Sequence, residues 1–156
     1  MRARFAPTLV ASALTVTALT GCTFTAEIAN LQPYDPSDGV ATTMDDIAVR
    51  NAMLITSDGA EANLVMTVVN TTGENVDLRV QYGSAGARQT DIIALPADPE
   101  LFQVGSDPAN QLIISDDDIL AGSLFPVYFQ HGDAQGEIIE VPVLDGTLAE
   151  YELLVP

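Results

Sequence analysis

Short runs in which apolar residues alternate with polar or small ones dominate the chain beyond residue 43. A period of two places successive side chains on opposite faces of a β-strand, so each run buries its apolar face only by joining a sheet. Turn residues separate the runs, and the Asp58-Gly59 pair between the first two is a strong hairpin signal. Because no segment shows sustained helical amphipathicity, the pattern predicts an all-β domain.

The first two predicted strands flank the Asp58-Gly59 turn. Pairing about that turn predicts that Met53 opposes Leu64 and that Asn51 opposes Met66, which makes Met53 and Met66 diagonal neighbours on one apolar face. Seven or so short strands within about 115 residues fit an immunoglobulin-like or cupredoxin-like β-sandwich. The predicted strands are 47–56, 62–70, 76–82, 90–95, 101–104, 112–114, 124–130 and 137–143, with Tyr151, Leu153 and Val155 expected to close the domain.

The N-terminal segment has the residue order of a secretory signal. Arg2 and Arg4 precede an uncharged and largely apolar stretch, 5–20, and Leu19-Thr20-Gly21 leads directly into Cys22. This order is typical of a bacterial lipoprotein signal peptide, in which the cysteine of the lipobox takes a thioether-linked diacylglycerol before cleavage. We expect residues 1–21 to be removed and the acyl chains on Cys22, palmitate among them, to hold the protein on the membrane. A retained signal anchor is the alternative.

The chain is therefore expected to have three parts: a signal peptide at 1–21, a lipidated tether at 22–43 and a β-sandwich domain at 44–156. Pro33, Pro36 and Gly39 cluster in the tether, where no period of 2 or 3.6 is sustained. Tyr34 lies among these prolines, and it either stays in the tether or packs the end of the tether against the domain.

The charge balance excludes one class of partner. The chain has 22 acidic and 5 basic residues, a formal net charge of −17 and no lysine. Nucleic-acid binding needs clustered Lys and Arg, so we expect no nucleic-acid partner. Loss of residues 1–21 removes two arginines and no acid, which leaves three arginines, 22 acids and a net charge of −19. This charge is either a general surface adaptation for solubility or a complement to a cationic partner.

Few residues offer metal or catalytic chemistry. Cys22 is the only cysteine, so an intramolecular disulfide or a multi-cysteine metal site is excluded. Met53 and Met66 are soft ligands that suit Cu(I), but their apolar neighbours favour a role in the core. His131 is the only histidine, and its position before Gly132 predicts an exposed turn residue.

Asp116-Asp117-Asp118 is the densest charge in the chain. Three adjacent carboxylates could hold Ca²⁺, but the spacing does not match an EF-hand loop, so a solvated acidic turn is predicted. We expect no catalytic residues, no resident metal and no cofactor.

Several short segments, together with the Cys22 lipobox, resemble those of a group of small actinobacterial lipoproteins. The segments are Tyr34-Asp35-Pro36-Ser37-Asp38-Gly39-Val40, Val49-Arg50-Asn51-Ala52, Leu120-Ala121-Gly122-Ser123 and Val141-Pro142-Val143. The group is similar to the periplasmic copper chaperone PCu(A)C family, which implies a cupredoxin-like or immunoglobulin-like β-sandwich from about Asp35 onward. The copper site implied by this resemblance uses His and Met. The corresponding stretch here is Gln111-Leu112-Ile113-Ile114, and no Met follows Met66.

The resemblance thus implies the fold without the copper ligands. We expect a lipoprotein on the extracytoplasmic face of the cell membrane that acts as a non-enzymatic binding module, with a protein of the envelope as its partner. A copper chaperone-like metal-binding lipoprotein is the alternative, and it requires that Met53, Met66 and His131 converge on an exposed site. An enzyme would instead need a concave pocket with paired carboxylates of perturbed pKa.

Overall fold

The described part of the chain consists mainly of β-strands. A computed structural model describes residues 34–83, 88–98 and 101–156, and residues 35–156 form one compact unit. Nine strands lie within the described residues, together with a single 3₁₀ turn at Pro108–Asn110. The strands are β1 (Val40–Met44), β2 (Ile47–Thr56), β3 (Glu61–Asn70), β4 (Val76–Tyr82), β5 (Gln89–Leu95), β6 (Phe102–Val104), β7 (Ile113–Ser115), β8 (Leu124–His131) and β9 (Glu137–Asp145).

The strands form one curled sheet in the order β5-β4-β8-β9-β2-β3-β6, with β1 paired to β2 and β7 paired to β3. All pairs are antiparallel except β2 and β9, which run parallel where Leu54 is level with Val143. The sheet curves into a nearly closed, barrel-like shape. The predicted all-β, cupredoxin-like architecture is confirmed.

The inward face of the curled sheet carries the main hydrophobic core. Phe129, Leu54 and Ile114 are fully buried there, and burial of a side chain of this size stabilises the fold by about 1.5–3 kcal/mol relative to exposure. Strands β4 and β8 alternate as predicted, and in β4 the buried Leu78 and Val80 flank the exposed Arg79. In these two strands, the period of two in the sequence thus determines which residues face the core.

A bulge in β2 changes which of its residues face the main core. Asn51 adopts a left-handed conformation with φ of 52°, and the pairing of β2 with β3 shifts between Arg50 and Met53. One extra residue in a strand reverses the inward and outward positions beyond it. Ile47 and Val49 therefore face the main core before the bulge, whereas the residues that face it afterwards are Ala52 and Leu54.

The predicted pairing of Met53 is wrong for this reason. Met53 is level with Val65, and Leu54 is level with Leu64. Met53 packs in a second cluster on the other face of β2, with Ile55, Val65 and Tyr151, while Met66 belongs to the main core. The two methionines are not neighbours on one face.

The compact unit begins at Asp35, earlier than the domain start expected at residue 44. Val40–Met44 pairs with β2 as a strand, and the carboxylate of Asp35 accepts a 2.9 Å hydrogen bond from the backbone N–H of Ala41. Residues 35–43 are therefore part of the folded unit because their backbone groups are paired with it. Tyr34 is 82% exposed.

The chain closes with a turn-rich segment in place of a strand. Tyr151 is buried in the second cluster, and Leu154 and Val155 pack against it, while Leu153 is 85% exposed. The N–H of Tyr151 donates to the carbonyl of Leu148 at 2.9 Å. Closure of the domain thus depends on Tyr151, as predicted, but Leu153 contributes nothing to it.

The predictions for the N-terminal segment lie outside the described residues. These include the signal peptide at 1–21, lipidation of Cys22 and the part of the tether that precedes Tyr34. Within residues 34–83, 88–98 and 101–156, no helix has the length and apolar character needed to cross a membrane.

Candidate functional site

The sheet does not close completely. We call the gap between its two end strands, β5 (Gln89–Leu95) and β6 (Phe102–Val104), the seam. Strand β5 pairs with β4 on one side, and β6 pairs with β3 on one side, so these strands are the two ends of the sheet order. Ile93 and Ala94 of β5 and Phe102 and Val104 of β6 line one hollow of about 280 Å³. The two ends of the sheet therefore border a shared groove.

A second hollow extends the groove along β4 and β5. Its volume is about 490 Å³, and Val76, Asp77, Leu95 and Phe102 are among its lining residues. Phe102 borders both hollows. The seam is thus an open groove that carries one aromatic side chain between two concave regions.

The floor of the seam is apolar and continuous with the core. Ile93, Phe102 and Leu112 are partly buried, and all three pack against the main core cluster. Ile92, also on β5, is 53% exposed. Partly covered apolar side chains at the end of a sheet resemble the floor of a peptide-binding groove, in which alternate side chains of a ligand find pockets.

A third hollow, of about 470 Å³, lies beside the C-terminal segment, and its lining includes Asp38, Asp145 and Tyr151. The Tyr151 hydroxyl donates a hydrogen bond to the carboxylate of Asp38. This bond, together with burial, raises the pKa of Tyr151 to about 12. The Asp145 carboxylate accepts hydrogen bonds from the N–H and hydroxyl of Thr147, at 3.2 and 2.5 Å, and these lower the pKa of Asp145. The bond between Tyr151 and Asp38 joins the segment before β1 to the segment after β9, and the bonds between Asp145 and Thr147 stabilise the turn after β9.

His131 lies elsewhere than the predicted exposed turn. It is the last residue of β8 and is half-buried. Its Nε2 lies 3.2 Å from the backbone carbonyl oxygen of Met44, and because a carbonyl only accepts, Nε2 carries the hydrogen in this contact. His131 thus ties the end of β8 to the end of β1.

The methionine and aspartate residues considered as metal ligands do not come together in the structure. Met44 and Met66 are buried in the main core and Met53 in the second cluster, so the exposed convergence of Met53, Met66 and His131 does not occur. In the acidic turn, Asp116 accepts a 2.9 Å hydrogen bond from the N–H of Asp118. Within the described residues, no three His, Cys, Asp or Glu side chains are grouped so that they could hold a metal ion.

One buried polar atom is left without a partner in the described structure. Asn63 is fully buried, and its Nδ2 donates to the carbonyls of Gly105 and Leu154, both at 2.8 Å. Its Oδ1 has no hydrogen-bond partner. Because Nδ2 serves two acceptors, the amide orientation is fixed, and Asn63 acts as a structural link between β3, the loop after β6 and the C-terminal segment.

Sequence reasoning identified the strands that form the seam but not the seam itself. The segments 90–95 and 101–104 were predicted as strands, and their position at the two ends of the sheet follows from the pairing of β4 with β8. That pairing joins residues about fifty positions apart, and no local pattern indicates it. The sequence signal for the seam was the adjacent pair Ile92-Ile93, since a strand with one solvated face usually has a polar residue at every second position.

The comparisons with known proteins support the fold. Neither a protein-family model nor a curated protein matches the chain. Among solved structures, the chain is similar to the copper-bound PCuAC domain from PmoF2, with a TM-score of 0.50 and 18% identity over 68% of this chain and 98% of that domain. The apo PmoF2 PCuAC domain also matches, with a TM-score of 0.49 and 21% identity over 70% of this chain and 98% of that one. The resemblance to the PCu(A)C family is thus confirmed as a distant likeness of fold.

Proposed function

We propose that this chain is a lipid-anchored, extracytoplasmic binding protein that holds a protein partner and does not catalyse a reaction. The observation that carries the proposal is the seam. Two sheet ends border an apolar groove on whose floor Ile93, Phe102 and Leu112 stay partly exposed. Apolar side chains that a fold leaves uncovered in a groove are typical of binding sites.

The lipid anchor is inferred from the sequence around Cys22. A positive start, an apolar stretch and the Leu19-Thr20-Gly21-Cys22 lipobox are the features that a lipoprotein signal requires. Two or more acyl chains on one cysteine hold a protein on a membrane stably, whereas one chain gives marginal binding. A net charge of −19 after processing repels anionic lipid headgroups, which favours a folded domain that stands clear of the bilayer.

The polar groups of the third hollow support a structural role. The Tyr151 hydroxyl and the Asp38 carboxylate bind each other, and Asp145 is held by Thr147. A general base or nucleophile needs a free position beside the substrate. In this hollow the protein's own donors satisfy the carboxylates, so we assign the Tyr151–Asp38 pair to joining the segments before β1 and after β9, and the Asp145–Thr147 pair to the turn after β9.

Copper delivery does not follow from the likeness to the copper-bound PCuAC domain, which concerns the fold. Copper(I) sites in proteins use soft sulfur ligands that converge on one ion. Here Met53 and Met66 are buried in separate clusters on opposite faces of β2 and β3. We therefore favour a protein partner over a copper ion as the ligand.

The proposal is tested in a bacterial host that expresses the full chain and its Cys22→Ser variant. We expect the wild-type protein in the membrane fraction, with an N-terminal peptide that begins at Cys22 and carries diacylglycerol by mass spectrometry. The Cys22→Ser protein should keep its signal peptide and lack the lipid. Recovery of wild-type protein with its start methionine and an unmodified Cys22 would contradict the anchor.

Partner binding is tested in the same cells with a photo-crosslinking amino acid. The crosslinker replaces Ala94 in the seam, and the matched control replaces Leu124, which is 61% exposed on β8. We expect a discrete crosslinked protein from position 94 and none from position 124. Equal crosslinking at the two positions, or none at either, would contradict a binding role for the seam.

A further inference from the structure

We propose that the seam binds an extended segment of a basic partner protein, which adds as a β-strand to the free edge of β5. This inference rests on the proposed binding function and goes further, because it names the mode of binding and the chemistry of the partner. It depends on three observations, namely a strand edge with which no strand of the described residues pairs, an apolar groove beside it and the charge of the chain.

The free edge belongs to β5, a strand of seven residues. Its backbone pairs with β4 over its whole length, from Gln89 opposite Tyr82 to Leu95 opposite Val76, and no strand among residues 34–83, 88–98 and 101–156 pairs with its other side. Folded proteins usually guard such an edge with lysine, proline or a bulge. Strand β5 has the sequence Gln-Thr-Asp-Ile-Ile-Ala-Leu, in which no proline occurs before Pro96 at its end, and its register with β4 is unbroken.

The only charged residue of β5 does not block this edge. The carboxylate of Asp91 accepts a 2.7 Å hydrogen bond from the hydroxyl of Tyr82 on β4. The charge is thus directed toward the neighbouring strand, and the edge itself stays accessible to backbone pairing. A strand of this length spans about 23 Å, which is enough for a ladder of several hydrogen bonds with an added strand.

The groove supplies places for the side chains of such a strand. In strand addition, backbone hydrogen bonds give affinity, and pockets for every second side chain give selectivity. The two hollows of the seam, about 280 and 490 Å³, both border Phe102 and both include Ala94 of β5 in their lining. Their apolar floor, Ile93 and Leu112 among it, favours aliphatic side chains on the inward face of the incoming segment.

The net charge of the chain indicates which kind of partner the seam can bind. Asp77 lines the larger hollow, Asp91 lies on β5 itself, and the chain as a whole carries a net charge of −17. A second copy of this chain would bring the same charge to the seam and would be repelled. A segment with lysine or arginine on its outward face gains attraction from the exposed Asp77 and from the net negative charge of the chain.

The inference is tested by adding a synthetic peptide to the full chain solubilised in detergent. The probe is a capped octapeptide of alternating lysine and valine. Two controls have the same length: one replaces lysine with glutamate, and the other is N-methylated at every residue, so neither of its edges can donate strand hydrogen bonds. Hydrogen exchange of the wild-type protein is the primary measurement, because it needs no substitution that could disturb folding.

With the lysine-valine peptide, we expect amide exchange within Gln89–Leu95 to slow by about tenfold, since the edge amides gain partners. The N-methylated and glutamate peptides should give no such protection. A second readout uses the absence of tryptophan in the chain. The fluorescence of an Ala94→Trp variant should shift with the lysine-valine peptide, and that of a Leu124→Trp variant should not.

Protection of β5 by the N-methylated peptide, or no protection by any peptide, would overturn strand addition. Equal protection by the glutamate peptide would overturn the basic partner. Protection of β5 without any peptide, in a protein that sediments as a dimer, would assign the seam to a second copy and overturn the proposal. A protein that crosslinks through position 94 in cells but shows no protection of β5 would retain the binding function and lose only this inference.

Discussion

The side-chain Oδ1 of Asn51 accepts a hydrogen bond of 2.9 Å from the backbone N–H of Gly39. Asn51 is the left-handed residue of the β2 bulge, with φ of 52°, and Gly39 is the buried residue just before β1. The bond therefore fixes the first strand against the bulge. Because the bulge directs Met53 away from the face that carries Met66, this contact also decides which side chains meet in the core.

We predict that Asn51→Ala destabilises the protein by about 2 kcal/mol. The substitution leaves the buried N–H of Gly39 without its acceptor. It also puts alanine in the left-handed region, which asparagine tolerates because its side chain forms a local hydrogen bond and which alanine tolerates less well. Asn51→Asp is the matched control, because it keeps the acceptor oxygen and the tolerance for positive φ. Urea denaturation gives the free energy of unfolding of each variant. A loss as large for Asn51→Asp as for Asn51→Ala would show that the hydrogen bond is not the cause.

A second prediction concerns the space at Gly39. A Cβ added there would lie 2.6 Å from the backbone oxygen of Ala52 and 2.6 Å from the carbonyl carbon of Asn51, and backbone atoms cannot yield as a flexible side chain can. We expect Gly39→Ala to lower the free energy of unfolding by about 3 kcal/mol, in the upper range for overpacked sites.

Gly73→Ala is the control for this substitution. A Cβ at Gly73 meets nothing within 4 Å, and its φ of 77° leaves only the conformational cost of alanine in the left-handed region, about 1–2 kcal/mol. Thermal or urea unfolding of the two variants gives the comparison. Equal losses at the two positions would mean that crowding against β2 is absent.

The strands themselves could be predicted closely from the sequence. β2 was predicted at 47–56 and β4 at 76–82, and both are observed with these bounds. Alternation is a local property; it is unbroken in β4, whereas β2 loses it at Met53-Leu54-Ile55, where both faces of the strand are buried. β1 was missed because Val40–Met44 has only five residues and follows the Pro36 cluster, where no period is visible. Its pairing with β2 depends on residues that are distant in sequence.

The faces of the strands and the candidate site could not be predicted in the same way. A bulge at Asn51 is decided by its left-handed backbone and by the acceptor that it offers to Gly39, which a period of two does not encode. The seam depends on strand order, because β5 and β6 become the ends of the sheet only when β4 pairs with β8. Local patterns therefore predict the individual strands, whereas the groove depends on pairing between strands that are distant in sequence.

A third prediction separates the copper alternative from the proposed function. We expect calorimetric titration of the full chain with Cu(I) to give the same result for the wild type and for the double variant Met53→Leu and Met66→Leu. Both methionines are buried in separate clusters, so neither sulfur contributes to a shared site. Exchange of Met for Leu conserves volume and costs less than about 1.5 kcal/mol at each site. Uptake of Cu(I) by the wild type that the double variant loses would restore the copper alternative.

The fourth prediction concerns stability at high pH and depends on Tyr151. Its hydrogen bond to Asp38, together with burial, raises the pKa of Tyr151 from 10.0 to about 12, so the folded protein holds the phenol proton more tightly than the unfolded chain does. The resulting stabilisation is fully present below pH 10 and is lost as the pH rises from 10 to about 12. We expect the free energy of unfolding to fall through this window in the wild type.

In Tyr151→Phe the fall should be shallower, and stability at neutral pH should be lower by about 1 kcal/mol, because the hydroxyl that binds Asp38 is gone. A weaker fall remains in the variant, since burial and a hydrogen bond to Asp91 also raise the pKa of Tyr82. Urea denaturation at a series of pH values measures both effects, and Tyr34→Phe, at a position that is 82% exposed, is the matched control. Identical pH profiles for Tyr151→Phe and the wild type would mean that the bond between Tyr151 and Asp38 does not stabilise the folded protein.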